Sequence, residues 1–128
     1  MNALFRDRIM VQRRDGKNIK DEAEWIEVDD VIDCKKEMFT KKDYRVVIYT
    51  ENGEYVYCTN NNAFFDLMSE RHGMIMTDKG VLGNLTKMKS VDYDNGKVYF
   101  DTDKEKYITI SKPRESLVKE YIKKLFGR

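Results

Sequence analysis

The chain has 128 residues, enough for one ordinary domain with a real core and too few for two domains of typical size. Apolar residues make up 41% of the chain and charged residues 37%, a composition typical of globular proteins and unlike that of disordered ones. No stretch approaches the roughly 18 consecutive apolar residues of a membrane helix, and the N-terminus lacks the apolar core of a signal peptide. We therefore expect a single cytoplasmic domain over residues 1–128, with its core at about 8–125.

The formal net charge of +1 is unevenly distributed along the chain. Residues 1–78 hold 12 Lys and Arg against 16 Asp and Glu, a net charge of −4, whereas residues 79–128 hold 12 against 7, a net charge of +5. A basic C-terminal part is typical of a protein with one phosphate-facing surface. Lysines that only solvate exposed faces explain the same pattern, and charge alone favours this simpler interpretation.

The N-terminal third predicts short strands separated by polar connections. The predicted strands are 9–12, 25–28 and 31–34, and the predicted turn or loop segments are 13–17, 18–24 and 35–43. Trp25, the single tryptophan, is expected to anchor the core. Cys34 and Cys58 are expected to be reduced thiols that behave as small buried hydrophobes.

The middle of the chain predicts a β-hairpin followed by a short helix. Residues 44–50 are rich in β-branched and aromatic side chains, residues 51–54 contain an Asn-Gly turn signal, and residues 55–59 form the return strand. Residues 60–62 offer three asparagines as helix N-caps, and the spacing of the following apolar residues predicts a helix that ends near Gly73.

The stretch 74–100 predicts two further strand pairs. Asp78, Lys79 and Gly80 separate two apolar runs, so this polar corner should point away from whatever its flanks bury. Asn84 lies among apolar residues, where its side chain most simply bonds the backbone of a turn. Residues 94–96, Asp-Asn-Gly, predict a tight hairpin turn.

The C-terminal part predicts a β-meander and a closing helix. Strands at 97–101 and 106–110 flank a charged turn, and Ser111 is a plausible N-cap with Pro113 in the first turn of the helix. The apolar face of this helix is predicted to hold Leu117, Val118, Tyr121, Ile122 and Leu125. Taken together, the predicted elements indicate a mainly β (α+β) fold of eight to ten short strands with two short helices.

The order of these elements resembles the LytTR family of bacterial DNA-binding domains. The segment 78–85, DKGVLGNL, is similar to the family's central HRSYxVNL signature: Asn84 and Leu85 match, and Lys79 replaces Arg. Asp78 stands where His is usual. Residues 25–31 resemble the family's x-I-x-L-x-D-I segment, and Ser111-Lys112 corresponds to the Ser-Arg-type motif that opens its last helix.

This resemblance implies an elongated arrangement of small antiparallel sheets that contacts the major groove of DNA through loops. Three loops would carry the contacts, and the residues implied are Lys41, Lys42, Tyr44, Asp78, Lys79, Ser111, Lys112 and Arg114. Lys79 or Arg114 could pair with guanine O6 and N7, and the carboxylate of Asp78 could accept a hydrogen bond from cytosine N4. Lysines and the N-terminus of the last helix would bind phosphates.

The resemblance further implies a transcriptional regulator, similar to the response regulators but without a receiver domain, that binds paired direct repeats in double-stranded DNA. It implies two protomers that form a homodimer on DNA, and it does not imply a stable dimer in solution. We expect no cofactor, metal, membrane or small-molecule substrate. The simpler interpretations are that Ser111 only caps its helix, that Lys41, Lys42 and Arg114 are solvated charges, and that Asn84 is a structural turn residue. His72 at a helix end is not expected to be a ligand.

Two other classes of function compete with DNA binding. An enzyme is disfavoured because the sequence offers one histidine, no Cys/His cluster with metal spacing, no phosphate-binding Gly-rich loop and no clear nucleophile-base pair. A small protein-interaction module that uses exposed β-edges is the stronger alternative. A DNA-binding protein should gather its five cations, Lys41, Lys42, Lys79, Lys112 and Arg114, on one face, whereas a protein-binding module has no need to.

Overall fold

The computed structural model describes residues 8–57 and 64–127, which fall into two compact units, 1–62 and 63–128. The first unit contains β1 (Arg8–Asp15), β2 (Asn18–Glu27), β3 (Val31–Met38), β4 (Tyr44–Thr50) and β5 (Gly53–Tyr57), with a 3₁₀ turn, η1 (Val28–Asp30), between β2 and β3. The second unit contains α1 (Phe64–Met68), β6 (Met74–Asp78), β7 (Val81–Asn84), η2 (Leu85–Lys87), β8 (Ser90–Asp92), β9 (Lys97–Tyr99), β10 (Tyr107–Thr109), η3 (Lys112–Arg114) and α2 (Glu115–Phe126).

The strands of the first unit form an antiparallel sheet in the order β2-β1-β5-β4-β3. The predicted 44–59 hairpin is present as β4 and β5, with Val47 opposite Val56. Val11, Cys34 and Ile48 are fully buried, as expected for the apolar positions of this sheet. Cys34 is a free thiol whose pKa is raised by burial, while Cys58 lies outside the described residues.

Two segments that the sequence predicts as loops are strands instead. Residues 18–24 belong to β2, which pairs along β1 from Asn18 to Glu27, and the turn predicted at 13–17 is confined to Gly16-Lys17. Residues 35–38 extend β3, where Lys35 lies opposite Val47 and Met38 lies opposite Tyr44. Both predictions fail for the same reason, because cross-strand hydrogen bonding stabilises a polar strand whose composition alone favours a loop.

The prediction that Trp25 anchors the core is wrong. Its side chain is 57% exposed on β2, the outermost strand in the order above, and it lies directly opposite Met10, which is 39% exposed. An outermost strand has a neighbouring strand on one side only. Fewer side chains therefore lie beside Trp25 to cover its ring.

A charge network crosses one face of the first sheet. Arg14, whose side chain is only 11% exposed, donates from Nη1 to both carboxylate oxygens of Glu37 at 2.7 Å and from Nη2 to Glu54 Oε2 at 3.1 Å. Hydrogen bonding to Glu37 holds the pKa of Arg14 above its ordinary value. Charge-assisted hydrogen bonds of this kind fix side-chain geometry, and this network joins β1 to β3 and β5.

Helix α1 ends at Met68, whereas the sequence predicts an end near Gly73. Phe64, Phe65 and Met68 are buried in it, and Leu67 is 60% exposed. The asparagines at 60–62 and the end of the predicted return strand at 58–59 lie outside the described residues.

The β-meander is present as predicted, with the strand order β10-β9-β8. Val98 lies opposite Val91 on one side and Ile108 on the other, and both Val98 and Ile108 are buried. Gly96 closes the predicted tight turn with a φ of +65°, and a Cβ there would lie 2.9 Å from the carbonyl oxygen of Ile110. This turn therefore requires glycine.

The closing helix α2 buries Val118 completely, and Tyr121, Ile122 and Leu125 are half-buried. Leu117, predicted on the same face, is 51% exposed. The buried stripe of this short helix is therefore narrower than its apolar composition suggests. Over residues 8–57 and 64–127, no helix is long and apolar enough to cross a membrane.

Candidate nucleic-acid interface

The polar corner at 78–80 is the turn that joins β6 to β7. The register of this pair shifts between Met76 and Asp78, and Gly80 completes the turn with a φ of +69°. The backbone N–H of Lys79 donates to Asp78 Oδ1 at 2.7 Å, so the carboxylate holds the turn from inside. The Lys79 side chain is exposed, as the sequence predicts for this corner.

The turn that opens the last helix is hydrogen-bonded to β6. The N–H of Ser111 donates to the carbonyl oxygen of Thr77 at 2.9 Å, and Arg114 Nε donates to the carbonyl oxygen of Met76 at 2.7 Å. The sequence predicts Ser111 as the N-cap of the last helix, but Arg114 occupies the N-cap position of α2. Ser111 instead precedes η3, and its side chain makes no capping hydrogen bond. Its backbone, rather than its hydroxyl, fixes the start of this turn.

A third connection comes from the end of β10. Thr109 Oγ1 donates to Asp78 Oδ2 at 2.6 Å, and the hydroxyl of the fully buried Thr77 donates to the carbonyl oxygen of Thr109 at 2.7 Å. The β6–β7 turn and η3 are therefore held side by side in the second unit. Two of the three predicted loops, with Asp78, Lys79, Ser111, Lys112 and Arg114, are brought together in this way. We call this set of five residues the two-turn cluster.

The charges of the two-turn cluster are mostly open to solvent. Lys112 has an 89% exposed side chain whose Nζ lies 3.9 Å from Glu115 Oε2, a distance at which solvent screens the attraction. Lys79 forms no ion pair with any residue in the described part of the chain. Arg114 is half-buried because its Nε bonds the backbone of β6. The cluster thus presents three cations and one carboxylate that is already hydrogen-bonded.

The remaining predicted loop, with Lys41, Lys42 and Tyr44, lies in the first unit. Thr40 Oγ1 donates to Asp43 Oδ2 at 3.0 Å and accepts from the N–H groups of Lys42 and Asp43, so the turn is ordered by its own side chains. Both lysines are exposed. Tyr44 begins β4, and its ring lies 4.7 Å from the ammonium group of Lys36.

Sequence reasoning missed the residues that position the two-turn cluster. Thr77 and Thr109 carry its hydrogen bonds, and Thr109 is 31 residues from its partner Asp78. A threonine in a strand is ordinary, so the sequence contains no signal for this pairing. Asn84 was predicted as a structural turn residue and is one, since its side chain accepts a hydrogen bond from the Thr86 N–H at 3.2 Å.

A metal-binding role has no support in the geometry of the described residues. No group of three or more His, Cys, Asp or Glu side chains in 8–57 and 64–127 could hold a metal ion. His72, the single histidine, is exposed beside Gly73. The Gly73 N–H donates to the hydroxyl of Tyr121 at 2.8 Å, which joins this corner to α2.

The fold of this chain is LytTR-like. Among solved structures, the chain is similar to the LytTr DNA-binding domain of a Bacillus cereus protein described as a methyl-accepting/DNA response regulator, with a TM-score of 0.61. The two chains are 15% identical, and the similarity covers 94% of this chain and 98% of the other. The chain matches no family model and no curated protein sequence. The predicted fold class, mainly β with two short helices and antiparallel sheets, is confirmed.

Proposed function

We propose that this chain is a sequence-specific DNA-binding transcriptional regulator that contacts major grooves through loops. The observation that carries the proposal is the two-turn cluster, in which hydrogen bonds from Thr109, Ser111 and Arg114 hold two cation-bearing turns side by side. The LytTR-like fold supports the same reading, since the similar Bacillus cereus structure is described as a DNA-binding domain.

Within this proposal Lys79 and Lys112 bind phosphates, since both are exposed and carry compact charges on flexible stems. Arg114 is anchored through Nε, which leaves its two terminal NH₂ groups as the donors for guanine O6 and N7. At the start of η3 the backbone N–H of Lys112 adds a further donor for phosphate. The N–H groups of Ser111 and Arg114 already donate to the carbonyl oxygens of Thr77 and Ser111, and Pro113 has no N–H.

Asp78 has a positioning role that does not exclude base contact. Its oxygens accept hydrogen bonds from Thr109 and from the N–H of Lys79, one each. A carboxylate offers about four lone-pair sites, so each oxygen keeps one for a donor such as cytosine N4. Asp78 therefore orients the Lys79 turn first and reads a base second.

Lys41 and Lys42 of the first unit supply further phosphate contacts, with Tyr44 at the base of their loop. The partner is double-stranded DNA, bound as paired direct repeats by two copies of the chain. The role is non-catalytic and cytoplasmic, and it needs no cofactor, small-molecule substrate or membrane.

The test is a fluorescence-anisotropy titration of labelled mixed-sequence duplex DNA at about 50 and 200 mM salt. The wild type should lose affinity by orders of magnitude at the higher salt, because phosphate contacts release counterions. The variant Lys79→Ala/Lys112→Ala should bind weakly at both, with a salt slope smaller by about two. Adding Arg114→Ala should also reduce the difference in affinity between a duplex selected from a random pool and the mixed-sequence duplex.

A matched control removes the same number of positive charges from other positions in the second unit. Lys89→Ala/Lys106→Ala removes two exposed lysines that lie outside the two-turn cluster, and it should bind nearly as the wild type does. Equal losses in both double variants would mean that only net charge matters and would contradict the assigned interface. No binding of any duplex by the wild type at low salt would remove DNA as the ligand.

A protein-interaction module is the second candidate, and the exposure of Trp25 favours it. Trp25 and Met10 form an exposed apolar pair on the outermost strand of the first sheet, where β-edge pairing with another polypeptide could occur. Absence of DNA binding, together with a shift of Trp25 fluorescence on addition of a partner polypeptide, would favour this candidate over the first.

A further inference from the structure

Phe39 is a large apolar side chain that the proposed DNA contacts leave unused. It follows the last residue of β3, and 54% of it is exposed. Met38 before it is 57% exposed. An exposed phenylalanine is common on its own, so its surroundings decide whether it has a role.

The backbone around Phe39 is fixed by the turn that follows. The N–H of Phe39 donates to the carbonyl oxygen of Asp43 at 3.2 Å, and the N–H of Thr40 donates to the same oxygen at 3.4 Å. The hydroxyl of Thr40 then bonds the Asp43 carboxylate at 3.0 Å. The loop is therefore closed on itself, and the Cα of Phe39 has a defined position.

The ring of Phe39 is also supported from one side. The guanidinium carbon of Arg45 lies 4.6 Å from the ring centroid, a cation–π distance, and Arg45 Nε lies 3.8 Å from Glu37 Oε1. Such a contact orders an aromatic ring before any ligand arrives, which reduces the entropy lost on binding.

The charges beside the ring fit a polyanion. Lys41 and Lys42 are exposed two and three residues after Phe39, and the Asp43 carboxylate in the same loop accepts the hydroxyl of Thr40. An ordered apolar ring in the same closed loop as two exposed lysines matches a ligand with an apolar group close to phosphates. In duplex DNA that group is the C5-methyl of thymine, which projects into the major groove.

We propose that Phe39 reads thymine by packing its ring against the C5-methyl group in the major groove, while Lys41 and Lys42 hold the flanking phosphates. The inference rests on the proposed function, which it deepens by naming a base and the residue that recognises it. Because thymine alone among the four bases carries this methyl, the contact adds specificity without a hydrogen bond.

The experiment compares thymine with deoxyuridine, which lacks only the methyl group. A duplex is selected from a random pool with the wild-type protein, and a second version replaces every thymine by deoxyuridine. The dissociation constants of both duplexes are measured by anisotropy for the wild type, Phe39→Ala, Phe39→Leu and Phe126→Ala. Phe126, on α2, is 49% exposed and serves as the matched control.

The wild type should bind the thymine duplex about fourfold more tightly than the deoxyuridine duplex for each methyl contacted. Phe39→Ala should reduce this ratio to about one, Phe39→Leu should keep part of it because leucine is also apolar, and Phe126→Ala should keep all of it. Urea unfolding of each variant shows whether the fold is intact.

Three results would overturn the inference. Equal binding of both duplexes by the wild type would mean that no methyl is read. A ratio that persists in Phe39→Ala would assign the effect to another residue or to altered DNA shape. Failure of the wild type to bind any duplex would overturn the proposed function as well, whereas DNA binding without thymine preference would overturn the role of Phe39 alone.

Discussion

The hydroxyl of Thr109 donates a hydrogen bond to Asp78 Oδ2 at 2.6 Å, which joins the end of β10 to the β6–β7 turn. With the 2.9 Å bond from the Ser111 N–H to the Thr77 carbonyl oxygen, it places the Lys79 turn beside the start of the last helix. The relationship is local in space and distant in sequence, and the proposed interface depends on it.

Replacing Thr109 by valine removes this hydroxyl and keeps the shape of the side chain. We expect the free energy of unfolding to fall by about 1 kcal/mol, the usual net contribution of an intramolecular hydrogen bond, because this pair is exposed to solvent. DNA affinity should fall as well, because the Lys79 turn loses its connection to β10. Urea unfolding and anisotropy titration measure the two effects. Thr102→Val, in the exposed turn after β9, is the control, and an equal loss in that variant would contradict the assigned role.

Gly73 lies in a position that no other residue can adopt without strain. Its φ is +90°, and a Cβ would lie 2.4 Å from Thr86 Cγ2 and 2.9 Å from Asn84 Oδ1. Gly73→Ala should therefore lower the free energy of unfolding by about 2 kcal/mol or more. Gly16→Ala is the matched control, since its φ is +63° but a Cβ there meets nothing within 4 Å, and it should cost about 1 kcal/mol. Thermal and urea unfolding would rank the two, and similar losses would show that the contacts of Gly73 are unimportant.

Asp33 makes stability depend on pH. It is buried on β3, its Oδ1 has no hydrogen-bond partner among the described residues, and burial raises the pKa of its carboxyl to about 7. At pH values below about 4 the carboxyl is protonated in both the folded and the unfolded state. As pH rises to about 7 only the unfolded state loses the proton, so the free energy of unfolding decreases, by about 4 kcal/mol in all.

The variant Asp33→Asn removes this titration. Relative to the wild type, its free energy of unfolding should increase with pH, by about 2–3 kcal/mol between pH 5 and pH 8. Urea unfolding of both proteins at four pH values across this range measures the difference between their free energies of unfolding. The contributions of other titrating groups cancel in this difference because both proteins contain them. A constant difference for Asp33→Asn would mean that its carboxylate is ionised throughout.

Trp25 should report an aqueous environment in the folded protein. Because its side chain is 57% exposed and is the only tryptophan, its emission should shift little on unfolding, and a soluble quencher should reach it in both states. Trp25→Phe should change the free energy of unfolding by at most about 0.5 kcal/mol, as for most surface substitutions. A large blue shift on folding would instead place Trp25 in the core.

The parts of the fold that the sequence predicts correctly are those in which local chemistry decides the backbone. Asn52-Gly53 and Asn95-Gly96 predict turns because glycine adopts positive φ without strain, and both glycines do have a positive φ in the structure. The β-branched run at 44–50 predicts its strand, which is β4. The exposed corner at Lys79 follows from the apolar runs on either side. The family resemblance, together with the order of these elements, led to the fold class and to two turns that the structure brings together.

Other features were decided by tertiary structure alone. Residues 18–24 and 35–38 are polar and become strands because β1 and β4 pair with them, with one interruption of the β1–β2 register at 20–22. Trp25 is exposed because its strand is the outermost one, a fact of strand order that no single segment contains. The Thr109–Asp78 bond required two distant segments to meet. Local propensity acts over a few residues, whereas cross-strand pairing and burial depend on neighbours that only the folded chain supplies.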